Sequence, residues 1–251
     1  MLHTNIIANM NAITVLPLQI KNLQITKKGN PLLNDLTLSI DSDDVTVILG
    51  PNGAGKSLLL RSAHGLETLN KGSLQWNTHT PQPQHSWRAY IFQKPVLLRR
   101  SVRANLEYVL SLHNISKSDY VSLINTALEH TGLNQLADRN ARVLSGGEQQ
   151  RLNIARAWIL QPKVILLDEP TAELDPNGTA AIEHLIKTIA QQGTKIIMST
   201  HDLGQAHRLA NDIVFLHQGR LIEHTPANTF FEKPETKIAQ DFIAGRLLNG
   251  E

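Results

Sequence analysis

Gly50-Pro51-Asn52-Gly53-Ala54-Gly55-Lys56-Ser57 fits the pattern Gly, four residues of any kind, Gly, Lys, then Ser or Thr. The pattern is that of a phosphate-binding loop, and its surroundings agree. Before it, Val45-Thr46-Val47-Ile48-Leu49 is a β-branched apolar run that reads as a buried strand. After it, Leu58-Leu59-Leu60-Arg61-Ser62-Ala63 opens a helical pattern expected to run to about residue 69. Glycines let the backbone curl and aim its N–H groups at one point. The following helix adds its N-terminal partial charge there. Lys56 brings a full charge to the outer phosphates, and the Ser57 hydroxyl is a Mg²⁺ ligand in this pattern.

Working outward, segments 18–25 and 36–40 alternate apolar and polar residues and read as antiparallel strands joined through Lys27-Lys28-Gly29-Asn30-Pro31. A short strand is expected at 74–76, a loop at 77–88, and a brief buried strand at 90–92 ending at Gln93. From Ser101, an N-cap, the period turns helical, with Val102, Leu106, Val109 and Leu110 on one face. A second helix is expected over 118–130, with Val121, Ile124 and Leu128 in register. Residues of about 95–160 therefore read as a helical insert between strands. Ser145 and Glu148 make a capping box ahead of Leu152, Ile154, Ala155, Trp158 and Ile159. Asp175 caps a further helix, with Pro176 at its first position and Gly193 at its stop. Strands are expected at 195–199, 212–217 and 220–223, the last two around Gln218-Gly219, with a final helix over 235–248. Strands alternating with helices indicate an α/β fold with a mostly parallel sheet.

In open α/β sheets, ligands sit beyond the carboxyl ends of the strands. Val164-Ile165-Leu166-Leu167 is a continuous apolar run followed by Asp168 and Glu169. Asp168 suits Mg²⁺, which keeps several waters and takes few carboxylates. Glu169 suits orienting or deprotonating an attacking water. His201 follows the 195–199 strand, where it reads as a γ-phosphate donor or as one of many satisfied histidines among the 11 in the chain. Gln93 reads as a Mg²⁺ or water ligand, or simply as a strand end. Gly146 and Gly147 open a helix that glycine disfavours. A helix start stripped of side chains is an anion site, to which Ser145 adds a hydroxyl.

The composition sets the frame. A chain of 251 residues with 41% hydrophobic and 18% charged residues has the make-up of a globular protein. A formal net charge of +2 is not the basic excess of a dedicated nucleic-acid binder. Without cysteine there is neither a disulfide framework nor a thiolate metal site. No window approaches ~18 consecutive apolar residues, so no membrane span is expected. Residues 1–17 have no Lys or Arg and read as an extension rather than a secretory signal.

The ordered set Gly50–Ser57, Gln93, Leu144-Ser145-Gly146-Gly147-Glu148-Gln149-Gln150-Arg151, Val164–Glu169 and His201 resembles the ATP-binding cassette family over residues of about 18–245. Ser145-Gly146-Gly147-Glu148-Gln149 is the specific part; the phosphate loop alone is shared more widely. The resemblance implies a P-loop NTPase core with a mostly parallel sheet, an antiparallel β subdomain and an inserted helical subdomain, together spanning 18–248. It implies ATP and Mg²⁺ as ligands, and a homodimer in which ATP lies between the Lys56 loop of one subunit and the Ser145 helix of the other. It further implies that Gln93 senses Mg²⁺ and the transport partner, Glu169 polarises water, Asp175 lies in the loop contacting the opposite subunit and His201 meets the γ-phosphate. Where the family usually stacks an aromatic residue on adenine, the register puts Lys27, whose aliphatic stem is the alternative cover.

A single cassette of this kind resembles a bacterial importer subunit that is peripheral on the cytoplasmic face of the membrane. Its implied partners are separate integral membrane permease subunits and, indirectly, a substrate-binding protein, with no nucleic acid. Gln93-Lys94-Pro95-Val96-Leu97-Leu98-Arg99-Arg100-Ser101-Val102 is similar to the matching segment of tungstate-type and phosphate-type oxyanion importers. Phosphate, molybdate and amino acids are the alternative cargoes to tungstate. A non-transport cassette is the rival class. Chromosome-type members separate the Lys56-like and Asp168-like halves by a long coiled coil, whereas about 110 residues intervene here, without sustained heptads. Translation-type members carry two cassettes in one chain.

Overall fold

The computed structural model describes residues 15–77 and 87–247. The extension expected at 1–17 and the loop at 77–88 fall mostly outside them, as does the last expected helical residue, 248. Compact packing divides the chain into two units, the breaks falling after Gln84 and after Thr194.

The first unit holds an antiparallel sheet of order β2-β1-β4, from β1 (Leu18–Lys27), β2 (Asn30–Ile40) and β4 (Lys71–Trp76). The alternation noted in the sequence slips by one residue in both long strands. Leu18 and Ile20 are buried, then Leu23 and Ile25; opposite them Leu38 and Ile40 are buried, then Leu33 and Leu36. Register shifts between Ile20 and Leu23 absorb the slip, and Asn22 takes φ 48°. Asn22 is held by donating to Asp35 (2.9 Å) and to Thr37 Oγ1 from its backbone N–H (2.9 Å). The bulge thus keeps one apolar face inward despite an interrupted pattern. Leu18, Ile20, Leu38 and Ile40 face Leu59, Leu60 and Ala63 of α1 (Lys56–His64) across one apolar space.

The same unit carries β7 (Lys195–Thr200), β3 (Thr46–Leu49), β8 (Asp212–His217) and β9 (Arg220–Pro226), side by side in that order. β3 runs parallel to both β7 and β8, and β9 returns antiparallel through Gln218-Gly219. β3 is buried at every position, as its apolar run predicts. Lys195 is fully buried at the start of β7, where it donates to the Asp44 carbonyl and to Thr46 Oγ1. Burial pushes its ammonium down to about 8, against the opposing pull of Asp212, Asp44 and Asp43.

The second unit pairs β5 (Arg88–Ile91) with β6 (Val164–Asp168) in parallel. Between them lie α2 (Val102–Leu112), α3 (Lys117–His130) and α4 (Gly146–Trp158). Their inward faces share one core that includes Leu106, Leu110, Ile124, Leu128, Leu152 and Ala155. Ser101 caps α2 by accepting from Ala104 N–H at 3.1 Å. Asp175 caps α5 (Pro176–Gln191) by accepting from Gly178 N–H at 2.6 Å.

Several boundaries differ from the sequence reading. α1 stops at His64 because Gly65 adopts φ 88° and closes the helix, well before residue 69. Phe92 lies outside β5 and is half exposed rather than buried. Val121 faces solvent, since α3 buries only the stripe holding Ile124, Ala127 and Leu128. The C-terminal pattern resolves into α7 (Ala227–Glu232) and α8 (Lys237–Ile243), with α6 (Leu203–Leu209) before β8. α8 begins where Glu223 accepts from the N–H groups of Glu235 and Thr236, which anchors the turn.

Candidate functional site

In the first unit the phosphate loop follows β3, and His201 follows β7. Because the two strands are parallel neighbours in register, Leu49 opposite Thr200, both groups sit at one carboxyl edge. Gly50 has φ 154°, and a Cβ there would lie 2.2 Å from the Leu216 carbonyl oxygen. The loop can hug β8 only with bare backbone at that point. Gly55 is the N-cap of α1 at φ 99°, so the chain turns sharply into the helix. Lys56 is buried, and its ammonium donates to the carbonyls of Gly50 (2.9 Å) and Pro51 (3.1 Å). Its charge is thereby held at the mouth of the loop. Asn52 and Gly53 are exposed, Pro51, Gly55 and Ser57 half-buried, and Ala54 buried. Gly219 supports the loop from behind: its N–H donates to Ala54 (3.1 Å), and its carbonyl accepts from Asn34 N–H (2.8 Å). In the sequence Gly219 is only a hairpin-turn residue; its second role depends on strand neighbours far away in the chain. Lys27 is ion-paired to Glu67 at 2.9 Å, and Arg61 joins the same carboxylate at 3.1 Å.

In the second unit Asp168 closes β6 and is buried, while Glu169 follows half-buried at φ 43°. The left-handed backbone of Glu169 turns the chain off the strand line directly after Asp168. Gln93 is exposed, two residues past β5. Tyr90, which pairs with Leu166 in register, donates its hydroxyl to Asp168 Oδ2 at 3.0 Å. In the sequence Tyr90 reads only as a strand residue, because nothing local says that strand 88–91 lies beside strand 164–168.

Ser145 is the N-cap of α4, and the capping box is complete. Glu148 Oε2 accepts from Ser145 N–H (2.7 Å), and Ser145 Oγ accepts from Glu148 N–H (3.3 Å). The bond from the Ser145 backbone holds the Glu148 carboxyl below its ordinary range, assisted by Arg151 and Arg139. Ser145 and Gly146 are exposed and Gly147 half-buried. Gly147 also packs on a neighbour: a Cβ on it would stand 3.4 Å from Gly178 Cα at the start of α5.

A groove of about 510 Å³ opens in the same unit, lined by Arg88, Tyr90, Phe92, Val96, Asn153 and Arg156 among others. Burial lowers both arginines from their ordinary value. α4 braces the groove's rim, Arg156 donating to the Val96 carbonyl (2.6 Å) and Asn153 to that of Phe92 (3.4 Å). Asn105, fully buried on α2, bonds both the N–H (2.9 Å) and the carbonyl (3.2 Å) of Leu98. The backbone is thus pinned at Phe92, Val96 and Leu98. The side chain of Val96, a residue at 77% exposure, is left bare.

Comparison with known proteins places these features in a family. A family model described as ABC transporter matches residues 33–172. The phosphate import ATP-binding protein PstB of Mycoplasmoides gallisepticum is 35% identical over 90% of this chain and 74% of its own length. The tungstate uptake system ATP-binding protein TupC of Peptoclostridium acidaminophilum is 36% identical over 84% of this chain and 98% of its own. Among solved structures, cbiO1 from Clostridium perfringens, part of the ABC transporter complex cbiONQ, superposes with a TM-score of 0.78 at 28% identity, covering 86% of this chain and 91% of that one. With a phosphate loop behind β3, an acid pair ending β6 and a serine-capped glycine helix start, the chain belongs to the ABC transporter family, as an ATPase that binds and hydrolyses ATP to drive transport.

Proposed function

We propose that this chain is the ATP-hydrolysing subunit of an oxyanion importer, with tungstate the favoured cargo and phosphate the alternative. The observation that carries the proposal is the pair of relatives named for tungstate uptake and phosphate import, the former aligned over 98% of its length. Tungstate and phosphate are both tetrahedral oxyanions. Residues 18–248 act as the ATPase domain, with 95–160 as its helical subdomain and 1–17 as an extension. The protein works as a homodimer, peripheral on the cytoplasmic face of the membrane and bound to integral permease subunits.

The groove lined by Arg88, Phe92, Val96 and Arg156 is the docking place for a permease helix. Phe92 and Val96 offer apolar surface, and the half-buried guanidiniums suit a partner presenting carboxylates or the carbonyls of a helix C-terminus. ATP takes the Gly50–Ser57 backbone and Lys56 on one subunit and Ser145, Gly146 and Gly147 on the other. The hydroxyl of Ser57, the carboxamide of Gln93 and the carboxylate of Asp168 are each hard oxygen donors of the kind that would hold Mg²⁺. Mg²⁺ held by these donors would supply charge neutralisation on the transferring phosphates. Glu169 orients the attacking water, and His201 donates to the γ-phosphate as charge develops. Hydrolysis removes the bridge between the two subunits and lets the permease rearrange.

Glu169→Gln should bind ATP normally, lose nearly all turnover and accumulate as an ATP-bound dimer on size exclusion. Turnover at the wild-type rate would remove Glu169 from the mechanism. The cargo is tested by ATP-driven uptake into vesicles that carry this chain together with an oxyanion-importer permease. Transport of tungstate over phosphate is the expected result, and the reverse preference would transfer the assignment to phosphate.

A further inference from the structure

The acid that ends β6 is tied to the groove through one side chain. β5 and β6 are parallel with Tyr90 opposite Leu166, so Tyr90 faces the same side of the sheet as Leu166 and, two residues on, Asp168. The tyrosine is long enough to reach past Leu166, and its hydroxyl donates to Asp168 Oδ2 at 3.0 Å. A phenol donating to a carboxylate is a charge-assisted bond that fixes the acid's rotamer and selects which oxygen is engaged. The ring itself leans on Phe92, centroids 4.7 Å apart and planes tilted by 59°. Phe92 is half exposed, and both rings line the groove. Tyr90 therefore has its ring in the groove wall and its hydroxyl on a buried acid.

We infer that Tyr90 is a positioning residue: its hydroxyl orients the Asp168 carboxylate toward Mg²⁺, and its ring transmits the state of the groove to that carboxylate. The inference rests on the reading of Asp168 as a Mg²⁺ acceptor. A group that moves Phe92 on docking moves the ring packed against it, and with it the donor that sets the Asp168 rotamer. Partners that orient metal-binding carboxylates act in this way, and their removal typically weakens metal binding about 10- to 100-fold.

The test measures ATP binding to the full chain across a Mg²⁺ titration and, separately, in EDTA. Tyr90→Phe keeps the ring and removes only the hydroxyl. It should leave affinity in EDTA unchanged and raise the Mg²⁺ midpoint by about 10-fold. Each variant is its own control, since a general loss of stability moves both arms together. A Tyr90→Phe midpoint equal to wild type overturns the inference, whatever happens to the melting temperature. Asp168→Asn separates the underlying reading: a wild-type midpoint in that variant overturns both, whereas a lost Mg²⁺ response beside a normal Tyr90→Phe overturns the inference alone. Phe92→Ala keeps the hydroxyl and removes the ring's support. It should shift the midpoint in the same direction by a smaller factor, and no shift overturns the link to the groove.

Discussion

Two glycine-rich helix starts in this protein look alike in sequence and differ in physics. At Gly50–Ser57 the glycines are imposed by the backbone. Gly55 turns into α1 at φ 99°, and Gly50 lies so close to β8 that a Cβ would sit 2.2 Å from a carbonyl oxygen. At Ser145-Gly146-Gly147 the backbone is ordinary helix, and neither glycine has a positive φ. There the neighbours matter instead: Gly147 lies beside Gly178 of α5, and Gly146 beside Leu174. The first is a cradle that only glycine can form. The second is a helix end kept bare, which any small residue could build but few could leave open. Glycine in a motif is therefore not one signal; its meaning depends on whether conformation or approach demands it.

The contrast is sharpest in the response to one added methyl. Gly50→Ala should cost about 3 kcal/mol or more, because the clash is with backbone that cannot yield. Chemical denaturation reads this, and a variant as stable as wild type would break the distinction at its strong end. Ser145→Ala should cost about 1 kcal/mol as a lost cap. The capping box also makes α4 sensitive to acid in a way that α1, with no acidic residue in its first turn, is not. Folding depresses the Glu148 carboxyl, so its contribution is complete above the unfolded value of 4.5 and disappears as pH falls through the lower folded value. The stability gap between wild type and Glu148→Gln should close on that side, and a gap independent of pH would remove the carboxylate from the account. Gly147→Ala should change stability least, within about 1 kcal/mol, because the gain in helix propensity offsets the tight contact with Gly178. A collapse of the fold in this variant would make the two glycine sites alike after all.

Much of the candidate site's local geometry was legible because it depends on near neighbours in the chain. The loop pattern, the apolar run before Asp168 and the Ser145–Glu148 spacing each lie within a few residues, and local geometry follows from them. The caps at Ser101, Ser145 and Asp175 all bond as their sequence positions predict. Where periodicity is weak, the sequence pattern misses by a residue or a turn. Phe92 and Val121 are apolar residues whose side of the element is chosen by neighbours, and α1 ends early because one glycine enters the left-handed region.

What the sequence by itself determined is therefore the side-chain types and the order of the parts: a glycine-rich loop, an acid pair, a capped glycine helix start, and strands alternating with helices. Those properties depend on side-chain type and short spacing. Only the tertiary structure decided which strands are neighbours, and so which distant residues serve the same atom. Tyr90 reaches Asp168 across 78 positions, Gly219 props Ala54, and Lys195 is buried against Thr46. Strand order is a property of the whole core, set by how apolar faces are shared among segments far apart in the chain. No local pattern encodes it, and the bonds that tie the groove to the acid come into being only once the sheet is assembled.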